Sequence, residues 1–187
     1  MDLIITVCVF LSYFLGSKAI LSNKYTPSVY SRVIWLLFAG NNFASVMLLN
    51  NNSSVLILAG LGLIGNLVIL LLSLKKSKKE FGKVEMISSL LLILSILVWL
   101  FTRMPLLNLT IGVIAHFIGG VPTYNKVVKD PYAEDILFWF FFFVASSLAL
   151  FKVDWSSISN YLYPLYFAVF DGLMTLLCLR RYKNLPR

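Results

Sequence analysis

The sequence predicts an all-α membrane protein: seven transmembrane helices set as two parallel three-helix bundles joined by a linker helix, a 3+1+3 order. Three observations lead there. Of 187 residues, 59% are hydrophobic and only 13% are charged, whereas a soluble domain carries about 25% charged residues. The apolar residues gather into seven runs of near-spanning length, and the chain matches itself at an offset of 104–105 residues.

A spanning helix needs about 20 mostly apolar residues, with a range near 17–25. The runs are 3–18, 33–49, 54–73, 84–101, 106–121, 136–151 and 158–179, and the shorter ones are expected to extend into their flanks. The first follows Met1-Asp2, with no basic segment before it and no small-residue cleavage site after it, so it reads as a helix rather than a signal peptide. The second carries Asn41-Asn42 at mid-length. The third follows Asn51-Asn52-Ser53-Ser54, a short polar loop that contains glycosylation sequons. Its glycines, Gly60, Gly62 and Gly65, have no strand before them and so make no nucleotide fingerprint. Small residues inside a span let helices approach closely. The fourth run follows the most basic stretch, Lys75-Lys76-Ser77-Lys78-Lys79-Glu80. The fifth holds the lone histidine, His116, the sixth holds Trp139 and Ser146-Ser147, and the seventh holds Asp171.

Seven spans sort the basic residues. Lys18, Lys24, Arg32, Lys75, Lys76, Lys78, Lys79, Lys83, Lys126, Lys129, Arg180, Arg181, Lys183 and Arg187 fall on one face. Arg103 and Lys152 fall on the other, a division of 14 to 2. The positive-inside rule then puts the N-terminus outside and the C-terminus in the cytoplasm, in a plasma (inner) membrane. The net charge of +8 is thereby a topology signal, and no nucleic-acid partner is expected. Cys8 and Cys178 fall at opposite faces, too far apart for a disulfide, which needs Cα atoms within about 7 Å. No metal-ligand spacing, nucleophile–base pair or phosphate loop occurs, so no metal, cofactor or enzymatic activity is expected. Trp99 and Trp155 fit an aromatic belt near the outer face.

At a shift of 104, Gly16 meets Gly120, Pro27 meets Pro131 and Trp35 meets Trp139. At 105, Lys75-Lys76 meets Arg180-Arg181 and Asn66 meets Asp171. These matches pair helices 1–3 with helices 5–7 and leave helix 4 over. An odd linker lets the two bundles run parallel about an axis along the membrane normal. The organisation expected is 1–74 for the first bundle, 75–104 for the basic loop and linker helix, and 105–187 for the second bundle and tail.

This layout resembles the PQ-loop/SWEET superfamily of seven-helix membrane proteins. The segment Gly119-Gly120-Val121-Pro122-Thr123-Tyr124-Asn125-Lys126 looks like the end of the first helix of a SWEET bundle, and Asp130 to Phe143, with Trp139, resembles its second helix. In the first repeat Lys18 stands where that proline would be, and no Pro-Gln dipeptide occurs. The resemblance implies that Asn66 and Asp171 line a substrate pocket, as paired asparagines do in SWEET proteins.

The residues themselves point the same way. Ionisable groups inside a membrane are costly and face a bundle interior or cavity. Asp171 has no basic neighbour within one turn. If His116 faces it, the two share a proton. Asn42, Ser146 and Trp139 are further pocket candidates, alongside interhelical hydrogen bonding for the Asn and Ser pairs and a belt role for Trp35 and Trp139. Pro122 and Pro164 are candidate hinges, because proline removes a helical hydrogen bond. The function expected is transport of a small polar solute, such as a sugar or amino acid, by alternating access at a midplane site. The alternative is a non-transporting receptor or accessory subunit on the same scaffold. The partners expected are the lipid bilayer and the solute. One chain suffices for a pore, and a homo-oligomer is compatible with it.

Overall fold

A computed structural model describes residues 1–23, 29–49, 52–76 and 82–180. Lys24, Pro27, Asn51, Lys78, Lys79, Arg181, Lys183 and Arg187, each used in the sequence reading, lie outside the described residues.

The chain is all-helical as described: α1 (Asp2–Leu21), α2 (Val29–Leu49), α3 (Ser53–Lys76), α4 (Lys83–Thr102), α5 (Pro105–Lys129), α6 (Ile136–Leu150) and α7 (Ile158–Leu179). Each apolar run becomes one helix. Six are long and apolar enough to cross a membrane, and α6 is a shorter apolar helix. Its 15 residues rise about 22 Å at 1.5 Å per residue, less than a hydrocarbon core of about 30 Å. Asp135 sets its start, accepting hydrogen bonds from the backbone N–H groups of Leu137 and Phe138.

The other boundaries also have local causes. Pro105 occupies the first turn of α5, where its missing N–H costs nothing. Arg103 takes a left-handed conformation, φ 55°, and its N–H closes α4 on the Trp99 carbonyl. The chain therefore turns from α4 into α5 within two residues. Pro122 and Pro164 lie inside α5 and α7. α5 continues helical to Lys129, past the expected end at 121.

α3 packs against both α1 and α2, whose backbones do not approach each other closely among the described residues. α7 packs in the same way against both α5 and α6. Between these groups, α1 lies on α6 and α2 lies on α5. α4 packs on α5 and α2 alone.

Several basic residues expected in loops lie in helix ends, among them Lys75, Lys83, Lys126 and Lys129, and Arg32 departs further by being buried. Arg32 was expected in a loop, but α2 begins at Val29, so Arg32 sits in its first turn and is buried. Its guanidinium carbon lies 4.7 Å from the Trp35 ring centre, so the aromatic face shelters the charge. Cys8 and Cys178 are both buried and free. Trp155 is exposed and stacks on Tyr161, while Trp35 and Trp139 are core residues.

Candidate functional site

A small cavity lies where α1, α2 and α3 meet α5, α6 and α7. Tyr13, Arg32, Trp35, Asn66, His116 and Asp171 contribute to its wall, as do Trp139 and four phenylalanines. Asn66 and Asp171, matched by the internal repeat, thus border one space. So do His116 and Trp139. Asn42 and Ser146 do not border it.

Each wall residue is positioned by its helix and by a specific contact. Asn66 donates from Nδ2 to the Tyr13 hydroxyl and to the Gly62 carbonyl, both at 2.9 Å. The Tyr13 hydroxyl in turn donates to the Gly62 carbonyl at 3.1 Å. Gly65 is what admits the tyrosine: a Cβ there would lie 2.2 Å from the Tyr13 ring. Tyr13 and Gly62 therefore hold Asn66 in a three-member polar cluster.

His116 does not pair with Asp171. Its Nδ1 lies 2.7 Å from the Tyr166 hydroxyl, and its ring stacks on Trp35 with centres 5.0 Å apart. Phe38, Phe167 and Phe170 close around it edge-on. The expectation of a shared His116–Asp171 proton is met by a different arrangement, in which a tyrosine takes the imidazole.

Asp171 is buried, at 3% exposure, and its Oδ2 has no hydrogen-bond partner. The indole N–H groups of Trp35 and Trp139 are buried and unpartnered as well. These two rings meet edge to face at 6.5 Å. An unpaired buried polar group costs about 1–3 kcal/mol, more if charged. Asp171 and Trp139, both in the cavity wall, thus leave hydrogen-bonding capacity unmet, whereas the Trp35 N–H lies beside Gly119 and the equally unpartnered Ser88 hydroxyl.

The cavity holds about 30 Å³. Because about 10–15 Å³ suffices for one water, this space takes one or two waters and nothing as large as a sugar. Both ends of the bundle are fastened. At the α1 start, the Asp2 carboxylate takes Lys152 Nζ at 2.7 Å, together with the hydroxyls of Ser53 and Ser54. Asn52 adds a bond from Nδ2 to the Lys152 carbonyl at 2.7 Å. At the other end, Glu134, between α5 and α6, is buried and lies 3.4 Å from Lys126 Nζ. Burial raises the Glu134 carboxyl above the ordinary range, and Lys126 and Arg32 pull it back down.

Asn41 and Asn42 divide. Asn41 Nδ2 donates to Asn108 Oδ1 at 3.2 Å and to Ser95 Oγ at 3.1 Å. Asn108 Nδ2 returns bonds to Asn41 Oδ1 at 3.0 Å and Ser45 Oγ at 2.7 Å. The Ser95 hydroxyl donates to the Asn108 carbonyl at 3.0 Å and also contacts its side-chain oxygen. This network ties α2, α4 and α5 together. Asn42 instead faces Gly112, where a Cβ would lie 2.3 Å from its Oδ1, and neither amide atom has a partner. Ser146 donates to the Phe142 carbonyl one turn back, at 2.9 Å, and so spends its hydroxyl within α6.

Sequence reasoning missed Arg32 and Tyr13. Arg32 looked like a loop cation, and its signal was its spacing: one turn before Trp35 it can lie on the indole. Tyr13 had no repeat-mate to mark it. No family model matches the chain, and neither a curated protein nor a solved structure does.

Proposed function

We propose that this chain carries a small polar solute across a membrane by alternating access, with Asp171 and Asn66 at the site. The observation that carries the reading is the buried Asp171 carboxylate, whose Oδ2 lacks a partner while it borders a cavity shared by both halves of the chain. A purely structural aspartate in lipid would be expected to pair with a cation or a donor.

The 3+1+3 arrangement belongs to this reading. Exchanging α1 for α5, α2 for α6 and α3 for α7 converts the α1–α6 packing into α5–α2 packing, and it converts α3 between α1 and α2 into α7 between α5 and α6. Such a correspondence supports two like bundles with α4 as linker, in the manner of the PQ-loop/SWEET proteins, with the N-terminus outside. Sites of transporters built from repeats lie near the midplane at the repeat interface. A cavity of about 30 Å³ fits a closed state, which the rocking of one bundle against the other would enlarge. Pro122 and Pro164 are the bending points in this reading, and the Asp2–Lys152 and Glu134–Lys126 contacts are fastenings that open in turn.

The test is a thermal-shift screen of the purified protein against sugars, amino acids and vitamins at two pH values. The active class is then followed into proteoliposomes as labelled uptake. Saturable stabilisation and uptake are expected for the wild type, and both are expected to fall with Asp171→Asn. Stabilisation without uptake would support a receptor on the same scaffold. Recovery of a stoichiometric protein partner with no solute response would overturn the transport reading.

A further inference from the structure

We propose that the groove between α1 and α3 binds one acyl chain of an anionic phospholipid whose phosphate is held by Lys18 and Lys75. This site shares Tyr13 with the solute site but opens on the outer surface, and it stands whether or not the chain transports.

The groove has a volume of about 620 Å³. Thr6, Phe10 and Phe14 line it on α1, and Ile64 and Val68 line it on α3. Phe10, Phe14, Ile64 and Val68 are exposed on the outer surface of the bundle. Phe10 and Phe14 stack, with centres 6.2 Å apart, into one continuous wall. The groove owes its depth to Tyr13, whose ring forms the floor by sinking onto Gly65, where no side chain obstructs it.

Length and width select the occupant. From Thr6 to Lys18 the helix rises about 18 Å, close to one leaflet, about half of a 30 Å hydrocarbon core. A helix 10–12 Å across would need roughly 1,400–2,000 Å³ over that length, so a second protein helix would stand largely outside the groove. A single acyl chain is narrow enough to lie within it.

Charge selects the headgroup. Lys18 lines one end of the groove, and no acidic residue among the described ones lines any part of it. Lys75 is exposed and lies seven residues beyond Val68, two turns further along the same face of α3. Two cations therefore sit at the end where a headgroup would lie. Basic pockets between spanning helices on the cytoplasmic side suit anionic lipid headgroups, and the basic residues of this chain gather on the Lys18 and Lys75 side. A bound chain would rest on the Tyr13 ring, whose hydroxyl fixes Asn66.

The test is native mass spectrometry of the full chain, released from micelles holding equimolar palmitoyl-oleoyl phosphatidylglycerol and phosphatidylcholine. The wild type is expected to retain one phosphatidylglycerol, with about a tenfold preference over phosphatidylcholine. Lys18→Gln with Lys75→Gln should keep a bound lipid and lose the preference. Ile64→Trp, which fills the groove from an exposed position, should lose the lipid while matching the wild type in circular dichroism and elution volume. Equal retention of both lipids by the wild type would overturn the proposal. So would a preference that survives the double variant, or full lipid retention by Ile64→Trp. A protein dimer that Ile64→Trp dissociates would assign the groove to a second copy instead.

Discussion

Asn41 and Asn42 are adjacent in α2 and lie in opposite kinds of surroundings. Asn41 belongs to the Ser45–Ser95–Asn108 network, in which each side chain has a partner on another helix or turn. Asn42, one step round the helix, has two unpartnered amide atoms. The contrast extends to whole regions. Around the Asn41–Asn108 pair, buried polarity is satisfied. Elsewhere Asn42, Asp171 Oδ2 and the Trp139 indole N–H have no partner, and neither do Ser88 Oγ and the Trp35 indole N–H, which lie together beside Gly119. A satisfied network rigidifies its helices. Unsatisfied groups are tolerated where something else has to bind or move. In the proposed reading, the satisfied network holds its helices while Asp171 is left able to bind.

The most direct way to break this comparison is Asp171→Leu. Removing an unpartnered carboxylate deletes no hydrogen bond of its side chain, so the melting temperature in detergent should be at least that of the wild type. Solute affinity should fall about 100-fold, or about 2.8 kcal/mol at 1.4 kcal/mol per tenfold. A thermal melt in detergent reads the first arm, and titration calorimetry with the solute found in the screen reads the second. Retained affinity would make Asp171 a packing residue and collapse the distinction.

Asn108→Ala is the mirror experiment. It strips partners from Asn41, Ser45 and Ser95 at once. A loss of about 2 kcal/mol is expected, since interhelical bonds in membranes average about 0.6 and reach about 1.7 kcal/mol each. Solute affinity should change less than threefold. Unfolding monitored by circular dichroism in mixed micelles measures the first, and the same calorimetry the second.

The two regions were unequally legible in the sequence. Helix count and order followed from the apolar runs, because lipid demands long apolar helices and punishes every other backbone arrangement. Asp171 and Asn66 stood out for the same reason, as polar groups at mid-span. The Asn41–Asn108 bond did not, because a register between α2 and α5 depends on helix rotation, which an all-round apolar helix does not encode. Arg32 was misplaced because α2 starts four residues before its apolar run. Charge alone assigned it to a loop, and the indole beneath it shelters the buried charge. His116 was found, but its partner was not: Tyr166, in α7, is one of nine tyrosines, and nothing in its local sequence singles it out.

Tyr13→Phe sharpens the comparison within the site. The ring stays seated on Gly65, and only the hydroxyl is lost. Asn66 then keeps its bond to Gly62 and loses the one to Tyr13. The Tyr13–Gly62 bond is lost as well, so the stability cost should be about 1.2 kcal/mol, two bonds at about 0.6 each. Solute affinity should drop about fivefold, because Asn66 becomes free to turn. An affinity unchanged within error would mean that the amide is fixed by the helix alone.

The smallest effect is expected at the edge of the bundle, where Glu134 is neither fully satisfied nor orphaned. Its carboxyl is buried and meets Lys126 at 3.4 Å, and that lysine is partly exposed. Burial is the stronger influence and raises its pKa above the ordinary value, against the opposing pull of Lys126 and Arg32. The folded state therefore holds this proton more tightly than the unfolded state does. Its contribution is full below the ordinary glutamate value, about 4.3, and is lost as pH rises through the raised folded value. Glu134→Gln removes the titration while keeping the shape. The difference in melting temperature, variant minus wild type, should therefore grow as pH rises from about 4 toward 8. A difference that stays flat across that range would show that Lys126 fully offsets the burial and that Glu134 belongs with the satisfied groups.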